Sequence, residues 1–139
     1  MWQDGINAAL AETGQDSRAF PGFSAMTAAP IDLTHLARYT GGDKALNTEI
    51  LRLFNGQLGS MVGELLTVLE QRDARKWRQV THTIKGAARG VGAFAVGEAA
   101  AAAEPIDPAL SKDRAIQMIE TLRVEGEAVQ AFIEEYLAA

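Results

Sequence analysis

From Ile31 to the end of the chain, apolar residues recur at three- and four-residue steps, and no segment alternates convincingly with period two. A half-buried strand needs that alternation, whereas an amphipathic helix needs a stripe every 3.6 residues. The pattern therefore confines the chain to helices packed on one another. The clearest stripe is Ile50, Phe54, Leu58, Met61, Leu65 and Leu69, which predicts a helix over about Lys44–Glu70.

The punctuation agrees with this reading. Asp32 is placed to cap a short helix that ends at Thr40, before Gly41-Gly42. Asp43 caps the long helix. A third helix starts after Gln71, with Asp73 in its first turn, where the helix dipole favours acid, and runs to about Gly90–Gly92. A fourth spans Phe94–Glu104 and is stopped by Pro105 and Pro108. The last covers Ser111–Leu137, with a stripe of Ile116, Ile119, Leu122, Val129, Phe132 or Ile133, and Tyr136. Short loops between amphipathic helices predict an all-α fold: an antiparallel four-helix bundle, up-down-up-down, with a short extra N-terminal helix across one end. The bundle is assigned to residues 31–139. Residues 1–30 are rich in Gly, Ala, Ser and Pro and read as an N-terminal extension or arm, in which Trp2, Ile6, Ala9 and Leu10 form one short amphipathic stripe. Gly56, Gly59 and Gly63 lie inside the long helix, each costing up to about 1 kcal/mol relative to Ala. Close approach of another helix is the first explanation, ahead of a bend or a thin surface for a partner.

Composition excludes several chemistries. With no cysteine there is no disulfide, thiol nucleophile or thiolate metal site. The net charge of −5 argues against general nucleic-acid binding. No apolar run approaches the ~18 residues that cross a bilayer, and the acidic start MWQDGINAAL does not resemble a secretory signal. A soluble, cytoplasmic protein is expected, with no membrane or nucleic-acid partner.

The stretch THTIKGAARGVGA holds one of the two histidines. On a wheel of about 100° per residue, Val80, Ile84, Ala87 and Val91 lie opposite His82, flanked by Trp77 and Ala88, and form the expected buried stripe. Arg75, Arg78, Lys85, Gly86 and Arg89 lie within about 60° of His82 itself. Between Arg72 and Ala93 there are six Lys or Arg and one acid, a net +5, so the rest of the chain carries −10. A basic face on an acidic protein suits an anionic partner. The surrounding cations disfavour a protonated ring, and a neutral imidazole is a nucleophile. They also repel a metal ion, so no metal site is expected. Lys85, one turn on, can pair with an anion attached to the ring, and Gly86 removes bulk from the approach. The fitting reaction is transient attachment of a phosphoryl group to His82, delivered and removed by another protein.

These residues resemble the signature of the histidine-containing phosphotransfer (HPt) domains of bacterial multistep phosphorelays. That signature has His, an apolar residue at +2, Lys at +3, Gly at +4 and Gly-Ala about ten residues on, here His82, Ile84, Lys85, Gly86 and Gly92-Ala93. Val96, Ala99, Ala100, Ala103 and Glu104 match the apolar and acidic positions that follow, and Ile31-Asp32 and Gly41-Gly42-Asp43 match the upstream ones. The resemblance implies a four-helix bundle without kinase or ATPase activity of its own. It implies phosphorylation of His82 on Nε2, with exchange to and from receiver-domain aspartates. The partners would be response-regulator receiver domains and a sensor histidine kinase, hybrid or not. No intrinsic cofactor is implied; Mg2+ would belong to the receiver. Lys85 would steady the phosphoryl group, and Gly86, Arg78, Gln79, Arg89 and Arg75 would form the docking face. The family often has Ser after the Gly and Asn three residues later, where this chain has Ala87 and Gly90. Gln79 or Arg78, one turn before His82, is the candidate to orient the ring instead.

Two other classes compete. A scaffold of the same fold could bind receivers without carrying phosphate, but it has no need of nucleophile and cation together. A basic-helix binder of nucleic acid or lipid is disfavoured by overall acidity and by the lack of aromatics among the cations. His35, in LTHLARY, has no Lys-Gly companion and reads as structural or incidental.

Overall fold

The computed structural model describes residues 29–139, and the amphipathic stripe at Trp2–Leu10 lies outside them. Five helices follow one another, with no strand among the described residues: α1 (Leu33–Thr40), α2 (Lys44–Gln71), α3 (Ala74–Val91), α4 (Phe94–Ala103) and α5 (Lys112–Ala138). Aspartate opens the first three. Asp32, Asp43 and Asp73 each sit at the N-cap and accept a hydrogen bond from the amide three residues on, His35, Leu46 and Lys76, at 3.0 Å. Each satisfies one of the amides that a helix start leaves unpaired. Asp73 is thus the cap rather than a first-turn residue.

The longer helices pack in a closed cycle, α2 on α3, α3 on α4, α4 on α5 and α5 on α2, while α1 lies against α2 and α3. Their shared core includes Leu51, Phe54, Leu58, Leu65, Trp77, Ile84, Val96, Leu122 and Val129. Lys44 and Asn47 tie the start of α2 to the end of α5: Lys44 Nζ donates to the Ala139 carbonyl at 2.9 Å, and Asn47 Nδ2 to Tyr136 Oη at 3.2 Å.

The expected stripes are partly displaced. In α2 the core takes Leu51, Val62 and Val68 alongside Phe54, Leu58, Leu65 and Leu69, leaving Ile50 and Met61 at its margin. In α5, Ala115 faces inward, and Ile116 is 45 % exposed because it lies off the Ala115–Ile119–Leu122 face. In α3, Trp77, Val80, Thr81, Ile84 and Ala88 are buried, and Ala87 and Val91 only half so. The stripe is rotated toward α4, whose small side chains permit a close approach. At Gly97 a Cβ would stand 3.1 Å from Arg89 Cγ and 3.8 Å from Ala88 Cβ.

The glycines of α3 separate cleanly. Gly92 caps the helix at φ 88°, a left-handed conformation that costs L side chains dearly, and its carbonyl accepts from the Asp32 amide at 2.9 Å. A Cβ there would meet Asp32 O at 2.7 Å. Gly90 is exposed and has nothing within 4 Å of a Cβ position, so packing does not account for it. The same holds for Gly56 and Gly63 of α2, so the expectation of close helix packing fails at both. Gly90→Ala is expected to raise stability by up to about 1 kcal/mol, whereas Gly92→Ala lowers it. Urea denaturation midpoints of the two variants measure the contrast, and a stabilised Gly92→Ala would contradict the packing described.

Candidate functional site

Trp77 sets the geometry of the site. Its fully buried indole donates from Nε1 to the Ala103 carbonyl at 2.9 Å, joining the first half of α3 to the last turn of α4. Glu104 follows directly, at the C-cap of α4. One turn beyond Trp77, His82 points outward with its side chain 68 % exposed, and Lys85 lies lower on the same flank at 21 %.

Glu104 bridges the two. Its Oε2 lies 3.0 Å from His82 Nδ1, and its Oε1 accepts from Lys85 Nζ at 2.6 Å. The Lys85 ammonium holds the Glu104 carboxyl below its ordinary 4.5; partial desolvation opposes this, and the His82 hydrogen bond adds to it. An ionised carboxylate only accepts hydrogen bonds, so the ring must donate from Nδ1. A neutral imidazole with its proton on Nδ1 carries its lone pair on Nε2, the nitrogen turned away from Glu104. The arrangement orients the ring with Nε2 toward an open surface and a cation one turn away.

The other residues expected at the site fall as follows. Arg75, Arg78, Gln79, Gly86 and Arg89 are all exposed, and a Cβ at Gly86 would meet nothing within 4 Å. Neither Gln79 nor Arg78 contacts the ring. The Gln79 carbonyl accepts from Thr83 Oγ1 at 2.9 Å, and the Arg78 carbonyl from buried Thr81 at 3.1 Å. The expectation that one of them orients His82 is corrected to Glu104, an acid that stands 22 residues away and just before Pro105. Its isolation at the end of an alanine-rich helix was the available signal. His35 packs edge-on against Tyr39 and Phe94, with centroids 5.7 and 5.1 Å away, remote in the chain from this network.

Beside the site, α2 and α3 flank an open groove of about 550 Å³, lined by Arg52, Leu53, Gly56, Met61, Thr83 and Ala87 among others. No helix among the described residues is long and apolar enough to cross a membrane.

Compared with known protein families, residues 49–138 match the Hpt domain, a stretch that holds His82, Lys85, Gly86 and Glu104. The chain belongs to the Hpt domain family. Hpt domains serve histidine phosphotransfer in phosphorelays as carriers rather than kinases, and as a family they interact with receiver domains and histidine kinases. Comparison with curated proteins and with solved structures finds no significant match.

The bridge in this Hpt domain has a testable pH signature. Because the folded value of Glu104 is depressed, its contribution to stability is complete above about 4.5 and is lost as pH falls through the lower folded value. The stability gap between the native chain and Glu104→Gln is therefore expected to persist from neutral pH down to about 4.5 and to close below it. Denaturant midpoints across that range measure it; a gap that widens in acid would contradict the bridge.

Proposed function

We propose that His82 accepts a phosphoryl group on Nε2 from the aspartyl phosphate of a receiver domain and returns it to such a domain. The carrier would be an up-down-up-down four-helix bundle over residues 31–139, with α1 across one end and residues 1–30 as an arm. The observation that carries the reading is the Glu104 bridge, which engages Nδ1 at 3.0 Å while the ring stays 68 % exposed. In the transfer, the Nε2 lone pair forms the N–P bond as the acyl O–P bond breaks, and the receiver aspartate leaves as a carboxylate. The ring gains positive character while keeping its Nδ1 proton, and the Glu104 carboxylate stabilises that charge, as a buried acid does for a catalytic histidine.

Lys85 has a second task in this scheme. A phosphoryl group on Nε2 brings negative charge close to its ammonium, which can then divide its hydrogen bonds between Glu104 and the phosphoryl oxygens. Mg2+ and the acidic pocket belong to the receiver. Exposed Arg75, Arg78 and Arg89 suit its acidic rim, Gln79 adds a polar contact, and bare Gly86 gives clearance. No kinase or ATPase activity resides in this chain on this reading.

His82→Gln is expected to fold normally and to take no label from a phosphorylated receiver; normal labelling of that variant sinks the assignment. Gly86→Gln fills the clearance and is expected to weaken receiver binding about tenfold, or roughly 1.4 kcal/mol, with the thermal midpoint unchanged or raised, since Gln favours the helix over Gly. Unchanged affinity by titration calorimetry contradicts face-on docking.

A further inference from the structure

The Ala103 carbonyl accepts two hydrogen bonds, from the buried Trp77 indole at 2.9 Å and from the Ile106 amide at 3.1 Å. Glu104 and Pro105 form the turn between Ala103 and Ile106. The Glu104 amide donates to the Ala100 carbonyl at 3.0 Å, and its backbone is helical, with φ −56° and ψ −44°. The ring of a proline pushes the residue before it toward extended backbone, so helical dihedrals at Glu104 must be held by neighbouring contacts. Ile106 is buried and cannot swing outward. Any relaxation of the turn is therefore taken up at Glu104 and the last turn of α4.

We infer that Trp77 is a positioning residue for exchange at His82: through the Ala103 carbonyl, its indole N–H keeps Glu104 in the conformation that engages Nδ1 of the ring. The inference rests on the reading of His82 as the exchange site and names a core residue on which that site depends. Trp77 and His82 are five positions apart in α3, about 140° around the helix, so one points inward while the other points out. Together they grip consecutive residues of α4. Trp77 holds Ala103 from within, and His82 and Lys85 hold Glu104 from the surface.

Core filling alone does not call for tryptophan at this position. Phe or Leu could occupy the interior, but neither can donate a hydrogen bond. The last carbonyls of a helix have no intrahelical partner, and Ala103 is the final residue of α4. The buried small side chains of Ala99, Ala100 and Ala103 let the indole reach that backbone. Loss of the donor leaves the Ile106 amide as the only hold on the carbonyl, and the end of α4 loosens under the strain at Pro105. Glu104 then spends less time on the ring, and both imidazole tautomers become populated. Arg75, Arg78, Gly86 and Arg89 keep their places on α3, so the rate of transfer falls while docking does not.

Trp77→Phe in the full chain tests this, with Ile133→Ala as a core control at the far end of α5. Nitrogen-15 spectra of the His82 ring are expected to show the Nδ1-protonated form diminished in Trp77→Phe and unchanged in Ile133→Ala, each well below its melting temperature. Phosphotransfer from a phosphorylated receiver is expected to slow several-fold at saturation in Trp77→Phe, with the half-saturating receiver concentration unchanged. Added to Glu104→Ala, the same substitution is expected to slow transfer little further, because Trp77 acts through Glu104. Should Trp77→Phe not fold, replacing the tryptophans with benzothienylalanine, which exchanges the indole N–H for sulfur at nearly equal volume, makes the same measurements. An unchanged tautomer, a full additional loss in the Glu104→Ala background, or an equal effect in Ile133→Ala would overturn the inference. Failure of the native chain to take label from any receiver would instead refute the exchange reading, while the tautomer spectra report on Trp77 alone.

Discussion

The hydrogen bond from the Trp77 indole to the Ala103 carbonyl fixes how α4 sits against α3. Everything chemically distinctive about this surface depends on that register. Glu104 follows Ala103 directly, and a slip of one residue would move it about 1.5 Å along α4 and 100° around it. Either displacement would break contacts of 3.0 and 2.6 Å to His82 and Lys85. Trp77 is completely buried, Gly97 lets α3 and α4 come together, and Ala99, Ala100 and Ala103 keep the interface thin. A surface site is thereby held by a core contact.

One carboxylate serves two donors, and this economy shapes the chemistry. Glu104 defines which imidazole nitrogen is available, and the same acid holds the Lys85 ammonium beside the ring. The cations of α3 therefore do not act on the histidine as a simple positive field. A negative group stands nearest the ring, and Arg75, Arg78 and Arg89 stay exposed around it. Hpt domains are phosphotransfer carriers rather than kinases, and an oriented but open histidine suits that role.

Much of this was legible in the sequence. The helices follow from apolar periodicity, and the starts of α1 and α2 from Asp32 and Asp43, because capping is a local interaction; Asp73, expected as a first-turn acid, proves to be the cap of α3. The exposure of His82 followed from the wheel. The facts that escaped depend on neighbours. The rotation of the α3 stripe toward Trp77, Thr81 and Ala88 reflects the thinness of α4, and the exposure of Ile116 reflects the choice of Ala115 for the core. Gly56 and Gly63 read as packing glycines until their surroundings proved empty. The partner of the His82 ring was assigned to residues one turn away, whereas it comes from another helix 22 positions on, and local spacing carries no information about such a pairing.

On the proposed reading, Glu104 holds the proton on Nδ1 of His82 and leaves Nε2 free to react. Long-range proton–nitrogen correlation spectra of the chain with nitrogen-15 histidine test it directly. At neutral pH a protonated Nδ1 and a lone-pair-bearing Nε2 are expected for His82, a preference lost in Glu104→Ala. A ring protonated mainly on Nε2, or one unaffected by loss of Glu104, would contradict it.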